Sequence, residues 1–237
     1  MKISDIEVSL IHHVGDDLDV VNAARVSFDK ESEWEFDYLL DRDNLSTKDA
    51  KLIHYLAKHK HHSPFNHSFP SFRVKAPIFV ARQLVKHKFM PWNEVSRRYV
   101  DSDPEFYFPE YWRKKADNVK QGSSGERCEN MYEEHSLDEI GWTEPSCDQY
   151  TRWSIEGSLE QYQIMLSMGV CPEQARMVLP QNMMTEWRWS GTLGAFLDML
   201  VLRLDPHTQK ETRDVAEKIA VIVKELFPVS YAAYLGE

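Results

Sequence analysis

The sequence predicts an α/β fold of the α+β type: one compact domain over residues 1–237, with a mixed or antiparallel sheet flanked by helices. Three observations carry this. Stretches near 2–12, 68–75 and 183–190 alternate or cluster apolar residues as strands do, while longer stretches repeat them every three to four positions. Strand-like and helix-like stretches are interspersed, and neither an internal repeat nor a linker separates them. With 42% hydrophobic and 12% aromatic residues, the chain can bury a full core without a disulfide or metal staple.

In the opening strand Ile6, Val8 and Leu10 share one side. A short helix is expected near 18–27. Ser46, three residues before Asp49 and just ahead of an apolar-periodic run, marks the N-cap of a helix at about 47–59. The second strand leads to Pro77, which suits the first turn of a helix over about 77–88 because its missing N–H would have no partner there. Helical spacing puts Arg82 and Lys86 on one stripe and Gln83 and His87 on the next, with Ile78, Ala81 and Val85 toward the core. Pro91 ends that helix, and 92–99 reads as an ordered loop.

Residues 101–148 are polar, contain Gly122-Ser123-Ser124-Gly125, and sustain neither period, so they read as a surface insertion. Beyond it, Ile155, Leu159, Tyr162 and Leu166 mark a helix face that Gly169 terminates, and Pro172 opens a short helix carrying Arg176. Met183, Thr185, Trp187 and Trp189 alternate with Met184, Glu186, Arg188 and Ser190 as a strand with one aromatic face. Thr192 is the expected N-cap of an amphipathic helix whose apolar face holds Leu193, Phe196, Leu197, Leu200 and Val201, with Arg203 at its end. A last helix is expected from about Asp205-Pro206 to before Pro228.

Charge and cysteine usage narrow the function. A net charge of −10 argues against nucleic-acid binding, which needs a basic face. No basic segment precedes an apolar run, and no stretch approaches the roughly 18 apolar residues of a membrane span, so a soluble cytoplasmic protein without a membrane partner is expected. Cys128, Cys147 and Cys171 are too few and too scattered for a disulfide framework. Within this acidic chain, residues 82–98 hold Arg82, Lys86, Lys88, Arg97 and Arg98 against the single acid Glu94, a local cationic site suited to a small phosphorylated ligand.

Gln83-Leu84-Val85-Lys86-His87-Lys88, then seven residues and Ser96 within Asn93-Glu94-Val95-Ser96-Arg97-Arg98-Tyr99, resembles the signature of the flavin-dependent thymidylate synthase family. That pattern is Arg-His-Arg, seven residues, Ser. Lys86 and Lys88 replace both arginines here, which keeps the charge and loses the planar fork that grips phosphate. Ala24-Arg25-Val26-Ser27-Phe28, His61 to His67, Phe72 to Gln83, Ala175 to Pro180 and Leu202 to His207 extend the resemblance over most of the chain outside 101–148.

The resemblance implies that FAD, with NADPH and 5,10-methylenetetrahydrofolate as co-substrates, serves to methylate dUMP to dTMP, in a homotetramer whose active sites combine residues of several subunits. By residue, it assigns dUMP to Gln83, Lys86, Glu94, Ser96, Arg97, Arg98, Arg176 and Arg203. Arg203 and Ser96 stand nearest the chemistry, Arg203 by favouring the N3-ionised uracil and Ser96 by touching substrate. FAD falls to Ser27, Ser63, Lys86, His87, Lys88, Glu94, Thr192, Asp198 and His207, and His61 is a folate-side contact. Where the family often has Asn, Arg and Asn around the last strand-to-helix junction, this chain has Thr192, Gly194 and Asp198.

Two other readings stay open. A non-catalytic dUMP-binding module would follow if Lys86 and Lys88 no longer held the flavin. A metal-dependent hydrolase could draw on the histidines between His54 and His87, although no HExxH and no carboxylate lies among His54, His59, His61, His62 and His67, and no metal is expected.

Overall fold

The computed structural model describes residues 1–38, 41–100, 103–117, 122–128, 136–137, 142–143 and 145–236. The predicted opening strand is two, β1 (Lys2–Ile3) and β2 (Glu7–His12), separated where Ile6 turns inward. The Asp16 carboxylate caps α1 (Asp17–Arg25) by accepting the N–H groups of Leu18 and Asp19, and Asp19 returns the bond to the Asp16 N–H. After the hairpin β3 (Glu35–Asp37) and β4 (Arg42–Asn44), Ser46 caps α2 (Thr47–Lys58) as its spacing predicts.

β5 (Ser71–Pro77) runs directly into α3 (Ile78–Leu84), and β6 (Trp92–Glu94) lies inside the stretch read as a loop. Four short strands follow: β7 (Glu105–Phe106), β8 (Arg113–Lys115), β9 (Ser123–Arg127) and β10 (Ser136–Leu137). Then come β11 (Trp142–Thr143), α4 (Cys147–Ser167), α5 (Pro172–Ala175) and β12 (Met184–Ser190). Three helices complete the chain: α6 (Leu193–Arg203), α7 (Lys210–Leu226) and α8 (Pro228–Leu235). Helices, antiparallel pairs and the parallel pair β1–β7 together give the mixed α/β architecture expected.

The chain folds as two compact units, each assembled from separate segments. One comprises Met1–Ile6, Lys75–Gln83 and Glu94–Glu186. Its core is Phe106, Ile155 and Met183, with Ile78, Phe108 and Leu179 packed against them. β1 pairs with β7, Phe106 bridges antiparallel to Met183, and the Ile78 N–H donates to the Met183 carbonyl at 3.0 Å. The surface reading of 101–148 therefore does not hold at Phe106, which is fully buried. A two-residue strand is too short to show a period. The β8–β9 hairpin further on is mostly exposed, and much of the rest of 101–148 lies outside the described residues.

The other unit comprises Glu7–Val74, Leu84–Asn93 and Trp187–Glu237, and it contains all or part of each strand of the sheet ordered β2–β5–β12–β6. Aromatic side chains fill it. Trp92 stacks on Trp187 with ring centroids 4.3 Å apart, and Phe196 meets Phe72 and Trp189 edge-on. The inward face of α7 carries Val215, Ile219 and Val223. The buried Asp17 carboxylate accepts the N–H groups of Val229 and Ser230 and the Ser230 hydroxyl, so α1 supplies the cap for the start of α8. Burial nevertheless raises the Asp17 pKa above the ordinary carboxylate value.

Three helix readings need correction. The expected 77–88 helix stops at Leu84, so Val85 leaves the helical register and is 46% exposed instead of facing the core. Val201 is 50% exposed, because the buried arc of α6 swings through Met199 and Leu200. The last helix begins at Lys210 rather than near Asp205, and Pro228, which fits a first helical turn, opens the additional helix α8.

Candidate active site

In the first unit a cleft of about 690 Å³ is lined by Arg82, Glu94, Arg97 and Arg176, a size usual for small-molecule sites. β6 and the segment after it deliver Glu94 and Arg97, α3 delivers Arg82, and the turn after α5 delivers Arg176. The Thr185 hydroxyl donates to Glu94 Oε1 at 2.7 Å, and the Val95 N–H donates to the Glu186 carbonyl at 2.8 Å, so β12 fixes the backbone and carboxylate of this segment. Thr185 was not anticipated. Its one signal was to be the only hydroxyl on the Met183–Trp189 face.

Three further predicted substrate residues lie in the same unit without lining the cleft. Gln83 is half-buried near the end of α3, while Ser96 Oγ accepts from Arg98 Nε at 3.1 Å. Arg98 stands 3.9 Å from Glu173 and over the Tyr99 ring. A guanidinium beside a serine cannot take its proton, so Ser96 has a partner suited to orientation and not to nucleophilic activation. Lys75 and Glu105 also line the cleft, a charge pair that the sequence reading did not single out. Hydrogen bonds from Lys2 and Lys75 hold the Glu105 pKa down to about 2.

The early end of α3 separates four side chains expected on one helix: Arg82 and Gln83 remain on it, whereas Lys86 and His87 lie on the turn that follows. In the second unit this turn is anchored by buried Leu84 and Met90, with Lys86, Lys88 and Phe89 exposed between them. Arg203, the last residue of α6, donates from Nε to His87 Nε2 at 3.0 Å. His87 is therefore a neutral acceptor with its proton on Nδ1. Burial, and then the Arg203 charge, push its pKa down to about 4, and burial lowers that of Arg203.

The depressed His87 value ties stability to pH. Between its ordinary 6.5 and about 4, the unfolded chain binds a proton that the folded chain excludes, so stability falls as pH drops through that interval. Glu105 adds a further loss between its ordinary 4.5 and about 2. The urea midpoint is accordingly expected to be lower at about pH 5 than at about pH 7, and His87→Gln should remove most of that difference while leaving the drop at lower pH.

The other flavin-side positions belong to this second unit as well, except Glu94. Ser27 and Ser63 are exposed in single helical turns, and Thr192 Oγ1 accepts the Ala195 N–H as the N-cap of α6. Asp198 lies 3.9 Å from His62 Nδ1, and His207 donates to Asp205. A Cβ at Gly194 would meet Asn66 Oδ1 at 2.9 Å, so Asn66 and Phe65 occupy the space an arginine would need there. His61 packs loosely against Tyr55 and His59, and no group of three metal-ligating side chains occurs among the described residues. No helix among those residues is long and apolar enough to cross a membrane.

Known proteins match this chain along most of its length. Residues 9–229 fit the profile of the thymidylate synthase complementing protein family. A flavin-dependent thymidylate synthase of Thermus thermophilus is 39% identical over 227 residues, 96% of this chain and 74% of the relative. That of Kosmotoga olearia is 37% identical over 231 residues, 97% of this chain and 90% of the relative. Among solved structures, a UMP/dUMP methylase PolB from Streptomyces cacaoi bound with 5-Br dUMP superposes with a TM-score of 0.77 at 28% identity, covering 100% of this chain and 97% of that one. The chain belongs to the flavin-dependent thymidylate synthase (thymidylate synthase complementing protein) family.

Proposed function

We propose that residues 1–237 form one catalytic domain that converts dUMP to dTMP, taking the one-carbon unit from 5,10-methylenetetrahydrofolate and reducing equivalents from NADPH through FAD. The observation that carries the reading is the cleft of mixed charge that gathers Glu94, Arg97 and Arg176 from distant parts of the sequence. Arg97 and Arg176 supply convergent donors for a nucleotide phosphate, and Gln83, Ser96 and Arg98 supply further polar contacts. The family resemblance assigns the uracil to Arg203, since a permanent cation stabilises the N3 anion.

The residues present suit a flavin dinucleotide. Exposed Lys86 and Lys88 offer cations for a diphosphate, and the Ser27 and Ser63 hydroxyls are open to solvent. When bound, FAD supplies the two-electron reduction that completes the methyl group, so tetrahydrofolate leaves unoxidised. The protein's own share is to hold three flat ligands and to fix charge around them. Self-association as a homotetramer, with sites built from several subunits, is part of the proposal, and the exposure of Phe28, Phe89, Met168 and Met177 supports it. Sedimentation at micromolar concentration would read the assembly.

The test is a visible spectrum of the purified protein with FAD, its bleaching by NADPH, and chromatography for dTMP after adding dUMP and methylenetetrahydrofolate. A flavin spectrum that NADPH bleaches and dUMP perturbs, with dTMP formed, is expected. Absence of bound flavin would end the redox mechanism and leave a dUMP-binding module.

A further inference from the structure

We propose that His87 is a positioning residue for Arg203: its Nε2 acceptor fixes the plane of the Arg203 guanidinium in the orientation from which it meets the substrate. The inference rests on the reading of Arg203 as a uracil-side cation and gives the central histidine of the Lys-His-Lys triplet a role apart from the flavin. Each side of the pair is itself anchored. His87 lies on the turn between buried Leu84 and Met90, and its N–H donates to the Leu84 carbonyl at 3.1 Å. Its ring lies 6.3 Å from that of Trp189 on β12, which is fully buried. Arg203 closes α6, where the helix dipole favours a cation.

A guanidinium is rigid beyond Cδ, so one hydrogen bond at Nε determines where its terminal amines point. An arginine that is half-buried and tied in this way loses less freedom when substrate arrives than one that rotates in solvent. Only a neutral imidazole serves, because protonation of Nε2 would remove the acceptor and place two cations in contact. The depressed His87 pKa agrees with this requirement.

The experiment titrates dUMP calorimetrically into the FAD-loaded protein and four variants: Arg203→Ala, His87→Leu, both together, and His87→Gln, with flavin content read by absorbance. Arg203→Ala and His87→Leu should each weaken dUMP by about tenfold or more, and the double variant should be no weaker than Arg203→Ala alone. His87→Gln should regain most of the loss, since its amide oxygen reaches roughly where Nε2 stood. If His87→Leu does not fold, His87→Asn replaces it: the shorter amide stops short of Arg203 and should weaken dUMP where Gln does not. Additive losses, or an unchanged affinity in His87→Leu beside a weakened Arg203→Ala, would overturn the positioning role alone. An unaffected Arg203→Ala would overturn the reading of Arg203 and the proposal with it.

Discussion

Arg203→Ala is expected to lower kcat/KM for dUMP by about 100- to 1,000-fold, the usual cost of removing one preorganised donor from a developing anion. The side chain is half-buried, where a cation interacts more strongly than it would in water, and its Nε is already committed to His87. The loss should fall on both terms: KM rises with the weakened binding of dUMP, and kcat falls because the uracil anion is fullest during reaction. Arg203→Lys should recover only part of the rate: it restores charge but neither the fork nor the bond to His87. Steady-state kinetics of dTMP formation, with flavin content equalised between proteins, measures both. An Arg203→Ala enzyme within about twofold of wild type would remove Arg203 from the chemistry.

Trp187→Ala should destabilise the fold by about 3–5 kcal/mol, enough to consume a large part of the stability of an ordinary domain. Its side chain is 1% exposed on β12 and stacked on Trp92, so truncation leaves a cavity against a flat ring with nothing to collapse into it. Trp187→Phe should cost less than half as much, since the indole N–H has no hydrogen-bond partner among the described residues and a phenyl ring retains most of the stack. Urea unfolding followed by circular dichroism, with the slope checked for constancy, separates the two variants. Equal losses for Ala and Phe would show that the site depends on the indole's shape more than on buried area.

The elements legible beforehand were those whose signals are local. Ser46 and Thr192 cap helices because the side chain needs only its own next turn, and Pro172 opens α5 because its missing N–H is harmless there. The apolar face of α6 and the Trp187–Trp189 face of β12 were readable because burial follows the period of each element. The candidate residues were legible differently: Glu94, Arg97, Arg176 and Arg203 stand within a long match to a family signature, which no single stretch of periodicity would have revealed.

By itself, then, the sequence determined the mixed α/β class and the local caps and periods of its elements, since these depend on composition and short-range spacing. The cationic stretch 82–98 did not foretell that Asp103, Glu105, Glu173 and Glu186 join Glu94 along the cleft. Only the tertiary structure decided where α3 stops, that Phe106 is core, that Thr185 holds Glu94, and that His87 accepts from Arg203. Thr185 and Glu94 are 91 residues apart, and His87 and Arg203 are 116 apart. Contacts at such separations arise from strand pairing and packing. No local pattern encodes them, because the free energy that forms them comes from burying surfaces whose partners are distant along the chain.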